Sequence, residues 1–255
     1  MMISNWLGKN NSLLLEYDHI DDTNLSEFEN QIEEVEKFYR FSKIEEITGR
    51  IRNKKGQGLA AVLFKNPRKS VLLRAIPFLI GKNIPFTIFL RPDCIGLNRL
   101  PMEEELDFYS KAYPKKITAE ILCQKKNEAW KAPDAVDVFL RGLRREVGPL
   151  PLDLIDPTLF FCTWGKLIEL PKELVEWGVT LYVGPQKTDL VGHGIYFMRQ
   201  QLKLTPKVAR ISSSIDAGAW NVESLSALNL VGCISNGKGA VTHESQWWDL
   251  PIWCF

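Results

Sequence analysis

At 255 residues and 45% hydrophobic content, the chain is long enough to bury a full core in one large α/β domain. Lys and Arg number 32 against 31 Asp and Glu, a formal net charge of +1 with no basic block or acidic tail, so the sequence carries no nucleic-acid footprint. Cys94, Cys123, Cys162, Cys233 and Cys254 are odd in number, scattered and without a CxxC, which argues against a disulfide framework or zinc knuckle; with no apolar run near the roughly 18 residues of a spanning helix and no cationic leader at Met1 to Trp6, a soluble cytoplasmic protein is expected.

In chain order, Leu13 to Tyr17 reads as an opening strand and Leu25 to Tyr39 as an acidic amphipathic helix. Ser26 and Glu29 stand at capping-box spacing, with Asn24 as the alternative cap. Gly58 to Phe64 is a short apolar run bounded by the glycine and by Asn66-Pro67, the mark of a buried strand. Val71, Leu72, Ala75, Ile76 and Leu79 follow at helical spacing over Val71 to Ile80, and Ile84 to Leu90 is a second β-rich run stopped at Arg91-Pro92. Strand, helix and strand within roughly 30 residues make a βαβ unit with parallel strands. In parallel α/β folds chemistry gathers where strands deliver their C-terminal ends, the place held here by Lys65 and Asn66.

Met102 to Gly148 is rich in Lys, Glu and Arg, and reads as a helical insertion near 102–148. The alternation then returns: Leu159 to Cys162 apolar, Trp164 to Trp177 helical, Val179 to Val183 a strand, His193 to Leu202 helical, Val208 to Ser212 a strand. Val222 to Leu228 reads as helical, Leu230 to Ile234 as extended and Leu250 to Cys254 as a last strand. With no internal repeat or low-complexity linker, a single domain over 1–255 is expected, built as an irregular (β/α) barrel.

The order of these segments resembles the polysaccharide deacetylase family (NodB-homology, carbohydrate esterase family 4). That family carries a strand ending in Thr-Phe-Asp-Asp-Gly, a helix, and a Gly-Ile-Pro-Ala-Thr-Phe-Phe strand. This chain has Val62 to Pro67, a helix, and Asn83-Ile84-Pro85-Phe86-Thr87-Ile88-Phe89-Leu90. Thr163-Trp164-Gly165 resembles the family's next helix entry, Glu176-Trp177-Gly178 the end of that helix, and Val179 to Val183, running on to Lys187, the strand into His-x-x-x-His. Arg210 to Ser214 followed by Glu223 to Gly232 is similar to a later arginine-turn-helix segment, and Tyr17-Asp18-His19-Ile20 to the lead-in of longer members. The resemblance covers Tyr17 to Gly232 and implies an irregular barrel of the polysaccharide-deacetylase type, with action on, or recognition of, an acylated or amino sugar in bacterial surface-polysaccharide (O-antigen) assembly.

In the family, the first aspartate is a general base, and the second binds a divalent metal with the two histidines. The resemblance places these roles on Lys65, Asn66, Val183 and Lys187. A charged ammonium accepts no proton, valine offers no lone pair, and a cation repels lysine. No metal is therefore expected at the family site. Lys65 and Lys187, with Arg210, would leave positive charge for a carboxylate or phosphate on a sugar; the plain rival is that both lysines point to water.

A relocated site is the alternative: Asp18 and His19, with His193 or His243, have the composition of a carboxylate–histidine site for a divalent metal such as zinc. Against it, an Asp-rich strand exit serves as a turn and helix cap without any ligand. Trp220, Trp247, Trp248 and Trp253 cluster late and offer flat faces to a sugar, Trp220 foremost, although tryptophans in a large core need little explanation. Cys94 and Cys233 read as core thiols rather than nucleophiles, and Asp216 is a leftover acid. Carbohydrate is the expected partner, with glycan-assembly enzymes as the rival if 102–148 projects away as a docking arm instead of packing across the strand ends as a lid.

Overall fold

The computed structural model describes residues 11–53, 58–97, 100–129, 133–150, 155–182, 185, 188–211, 220–242, 244–246 and 249–254. Val183, Lys187, Asp216, His243, Trp247 and Trp248 lie outside them. The chain runs β1 (Leu13–Tyr17), α1 (Leu25–Glu36), β2 (Arg40–Phe41), α2 (Ile44–Arg52), β3 (Leu59–Phe64), α3 (Lys69–Leu73), α4 (Ala75–Gly81) and β4 (Phe86–Leu90). Three helices follow, α5 (Met102–Ala112), α6 (Ala119–Ala129) and α7 (Pro133–Val147). Then come α8 (Trp164–Ile168), β5 (Val175–Leu181), α9 (Thr188–Leu202), β6 (Val208–Ile211), α10 (Val222–Ala227), β7 (Gly232–Lys238) and β8 (Leu250–Cys254).

Among the described residues, seven parallel strands close in the order β1-β3-β4-β5-β6-β7-β8, because β1 pairs with β3 on one side and with β8 on the other. The short β2 pairs with the start of β3. Side chains alternate across each strand. Leu14, Leu59, Ala61, Leu63, Phe89, Val208, Ile234 and Leu250 fill the lumen, whereas Leu15, Val62, Phe64, Ile88, Val179 and Ala209 meet the surrounding helices. An irregular (β/α) barrel is the result.

The lumen is stopped at its strand-entry end by α2, whose Ile44, Ile47 and Ile51 join the lumen cluster. Its N-terminus has no side-chain cap of its own. Glu176 of β5 supplies one: the buried carboxylate accepts from the backbone N–H of Ile44 at 2.8 Å and of Glu45 at 3.0 Å, and from Thr87 Oγ1 at 2.6 Å. At the opposite end, α5 to α7 form their own small core around Leu106, Tyr109, Val136 and Leu140 and stand over the strand exits.

Several boundaries differ from the sequence expectation for identifiable reasons. The helix expected over Val71 to Ile80 breaks at Arg74 into α3 and α4, since Pro77 has no N–H to give the carbonyl of Leu73. The helix expected from Trp164 to Trp177 stops at Ile168; Pro171 follows shortly after, and Glu176 to Gly178, expected as a helix end, belong to β5. Leu159 to Cys162, read only as apolar, begins at the end of a 3-10 turn over Pro157–Leu159 and makes a single bridge from Phe161 to Arg68. The helix α9 begins at Thr188, five residues before the expected start. Between Arg40 and Arg52 the sequence reading left β2 and α2 unassigned.

Candidate functional site

A cavity of about 490 Å³ lies at the strand-exit end, between the barrel and the inserted helices. Its floor comes from strand ends: Asp18 after β1, Lys65, Asn66 and Arg68 after β3, Arg91 after β4 and Thr180 within β5. Its roof comes from the 102–148 insertion and the residue before it: Pro101, Glu103, Glu104, Asp107, Cys123, Lys126 and Asn127. The insertion therefore packs across the strand C-termini as a lid.

Four acids and four bases line this space, and they are largely paired with one another. The Arg68 guanidinium, 3% exposed, donates to Asp18 at 2.9 Å through Nε, to Glu104 at 2.7 Å through Nη2 and to the carbonyl of Leu159 at 2.7 Å through Nη1. Arg91 donates to Glu103 at 2.9 Å and to Asp93 at 3.1 Å, and its guanidinium stands 4.6 Å from the centre of the Tyr182 ring. Lys126 donates to Asp107 at 2.7 Å. Asn66 Nδ2 donates to Asp18 at 2.9 Å, and Lys65 Nζ stands 3.9 Å from the same carboxylate.

These contacts set the ionisation of the site. Burial pushes the Asp18 carboxyl up, but the charge and hydrogen bonds of Arg68, with Lys65 and Asn66, outweigh it and hold the group below its usual range. Glu104 goes the other way: burial raises it, and Arg68, already shared with Asp18, does not offset that. Arg68 and Arg91 remain charged, because the acids beside them outweigh burial.

The sequence-derived candidates divide into two sets. Lys65 and Asn66 line the cavity together with Asp18. His19 does not join Asp18: its Nδ1 lies 2.8 Å from Ser70 Oγ and its Nε2 3.3 Å from Asp21. Asp21 in turn accepts from the backbone of Thr23 and Asn24, so the acidic strand exit forms the turn that leads into α1. Asn24 sits at the N-cap without a capping hydrogen bond; its side chain accepts from Asp21 N and donates to His19 O. His193, read as the first residue of a helix, is an exposed residue inside α9. The relocated constellation of Asp18, His19 and His193 is thus not brought together.

Arg210, expected to contact substrate, is 3% exposed and bound along the Nε–Nη2 edge of its guanidinium by Glu16, also buried, with Nη2 to Oε1 at 2.8 Å, while Nη1 donates to the carbonyl of Ile211 at 2.7 Å. That pair belongs to the barrel wall. Trp220 is buried against the helix-facing core and presents no open ring face. Cys94 and Cys233 are buried, as a packing role requires, and burial pushes the Cys233 thiol far up. The sequence reading missed Arg68, Arg91 and Thr180. Two of them were visible as arginines adjoining a proline at a strand exit; a threonine inside a strand gives no such signal.

Of the deacetylase-equivalent positions, Lys65 and Asn66 are among the described residues, and these do not fit a divalent ion. Lys65 is a cation, the Asn66 amide nitrogen is committed as a donor to Asp18, and that carboxylate accepts from Asn66 and from two nitrogens of the Arg68 cation, which with Lys65 would repel an ion beside it.

No family model matches the sequence, and no curated protein matches it. Solved structures do. The chain is similar to IcaB from Ammonifex degensii at 14% identity and a TM-score of 0.60, over 96% of this chain and 92% of that one. It is similar to the Streptococcus pyogenes deacetylase PplD in complex with acetate at 10% identity and 0.58, over 97% and 92%. It is also similar to the BpsB deacetylase domain from Bordetella bronchiseptica at 12% identity and 0.57, over 97% and 96%. Strand order, closure and these full-length likenesses agree: the chain has the (β/α) barrel fold of the polysaccharide deacetylases.

Proposed function

We propose that the protein recognises an acylated or amino sugar in the assembly of a bacterial surface polysaccharide such as O-antigen, and that metal-dependent deacetylation has been lost. The observation that carries this reading is the exit of β3, where a deacetylase-type barrel presents Lys65 and Asn66 beside an Asp18 already held by Arg68. An ammonium and an occupied carboxylate supply neither ligands for an ion nor a free base for water.

The cavity itself is retained. Its volume lies within the roughly 300–1,000 Å³ of small-ligand pockets. Its walls mix donors and acceptors, which suits a polyhydroxylated ligand. A neighbour of the same fold is a deacetylase in complex with acetate, which supports an acylated ligand. Among the described residues, Cys94, Cys123, Cys162 and Cys233 form no disulfide, which favours a reducing compartment and work on the cytoplasmic side. The lid geometry of α5 to α7 favours carbohydrate in the cavity over a projecting arm for glycan-assembly enzymes.

The test is acetate release from an N-acetylated oligosaccharide with zinc, cobalt or nickel, and with chelator, alongside calorimetric binding of the same oligosaccharide. Binding without metal-dependent release is the expected outcome. Metal-dependent turnover overturns the loss of deacetylation, and absence of binding overturns the recognition.

A further inference from the structure

Two groups in the cavity are left without the hydrogen bonds their chemistry calls for. Thr180 is 4% exposed, and its Oγ1 is buried with no hydrogen-bond partner among the described residues. A buried hydroxyl left unpaired costs about 1–3 kcal/mol. In a native fold such a group is usually bonded to something, whether water or ligand. The second group is the Lys65 ammonium, with a 28% exposed side chain. It stands 3.9 Å from an Asp18 carboxylate that Arg68 and Asn66 reach at 2.9 Å each, beyond direct hydrogen-bonding distance. Every other cation in the cavity has an acid within 3.1 Å: Arg68 has Glu104, Arg91 has Glu103, and Lys126 has Asp107.

We propose that this cavity takes a saccharide unit bearing an anionic group, a carboxylate or a phosphate, with the anion on Lys65 Nζ and a sugar oxygen on Thr180 Oγ1. The proposal rests on the saccharide-recognition reading above and narrows it. An anion completes the coordination of an ammonium by charge-assisted hydrogen bonds, roughly twice as strong as neutral ones. Competition from the surrounding acids is weak, because each already has a nearer cation than Lys65. Lysine acts as a compact point charge on a flexible stem, which suits a carboxylate and a tetrahedral phosphate alike. Thr180, one hydroxyl on a rigid strand, fixes where the sugar ring sits relative to that charge.

The experiment is calorimetric titration of the full chain with glucuronic acid, glucose 1-phosphate, glucose and N-acetylglucosamine, repeated on Lys65→Met and on the near-isosteric Thr180→Val. Thermal melts of each variant show that it is folded. The expected result is that one or both anionic sugars bind at least tenfold more tightly than glucose, and that the tighter of the two identifies the anion. Lys65→Met removes that preference, and Thr180→Val weakens anionic and neutral sugars together by about fivefold to tenfold, the worth of one hydrogen bond. If N-acetylglucosamine binds as well as the anionic sugars, or Lys65→Met leaves the preference intact, the anion assignment is overturned while saccharide recognition stands. If none of the four sugars binds, both are overturned.

Discussion

Arg68 holds Glu104 at 2.7 Å, and through that one contact the exit of β3 grips the helix that roofs it. Through Nε and the same Nη2 the guanidinium also holds Asp18, so floor and lid share a single buried cation. Glu104→Ala leaves Arg68 its Asp18 partner and releases only the lid. Because Glu104 is partly exposed, a loss of about 1 kcal/mol is expected, at the low end for a charged hydrogen bond. Hydrogen exchange checks it: amides of α5 should exchange several-fold faster while those of β3 and β4 stay unchanged. Equal acceleration in both would place the effect in global stability and remove the lid role.

How far the fold and site could be read in advance follows from the same contacts. Strands such as Leu59–Phe64 and Phe86–Leu90 were legible because both their faces are buried and their sequences run apolar without interruption. Lys65 and Asn66 were found because a strand exit was questioned. Arg68 and Arg91 stand at strand exits too, but beside Pro67 and Pro92 they read as stops, and a proline stop says nothing about the side chain next to it. The capping of α2 by Glu176 was beyond sequence reach, as its members are more than 130 residues apart. Arg210 was singled out through the resemblance to an arginine-turn-helix segment, and its pairing was out of reach because its partner Glu16 lies 194 residues earlier.

Asp18 gives the protein an acid limit. Its folded carboxyl lies below the ordinary value of 3.8, because Arg68, Lys65 and Asn66 outweigh burial. The unfolded chain therefore binds more protons in the window just below that value, and stability rises with pH there. The contribution is fully present above about pH 4 and is lost as pH falls through the folded value. Asp18→Asn should lower stability at pH 6 and flatten the acid side of the melting-temperature profile. Profiles of equal steepness between pH 2.5 and 5 would show that Asp18 does not set the slope.

Arg210 and Glu16 form a buried pair whose halves are worth little alone. Removing one leaves the other charged in the barrel wall, which costs about 3–5 kcal/mol. Arg210→Met should accordingly express poorly or melt far lower, and Glu16→Leu likewise. The double variant replaces the pair with apolar side chains and should recover much of the loss. Denaturant melts of the four proteins give the coupling energy. The double variant also tests the assignment of Arg210 as structural: it should bind saccharide as the parent does, and a folded double variant without binding would return Arg210 to the site.

Glu176 ties the barrel to its stopper. Its carboxylate accepts two backbone N–H groups of α2 and the Thr87 hydroxyl at once. Glutamine in its place can still accept from one amide but turns an NH₂ toward another donor, so Glu176→Gln should cost about 1–3 kcal/mol. In a chain of this length each kcal/mol lowers the melting temperature by about 2–4 °C. Burial raises the Glu176 carboxyl in the folded protein, with the hydrogen bonds of Thr87 and the α2 backbone opposing. The folded state consequently holds its proton to higher pH than the unfolded chain, and this group's contribution is lost as pH rises from its ordinary value of 4.5 through the folded value. Melts of parent and Glu176→Gln at pH 4.5 and 7.5 separate the two effects. The variant should be less destabilised relative to the parent at the higher pH, and an equal deficit at both would show that the carboxyl does not titrate in that interval.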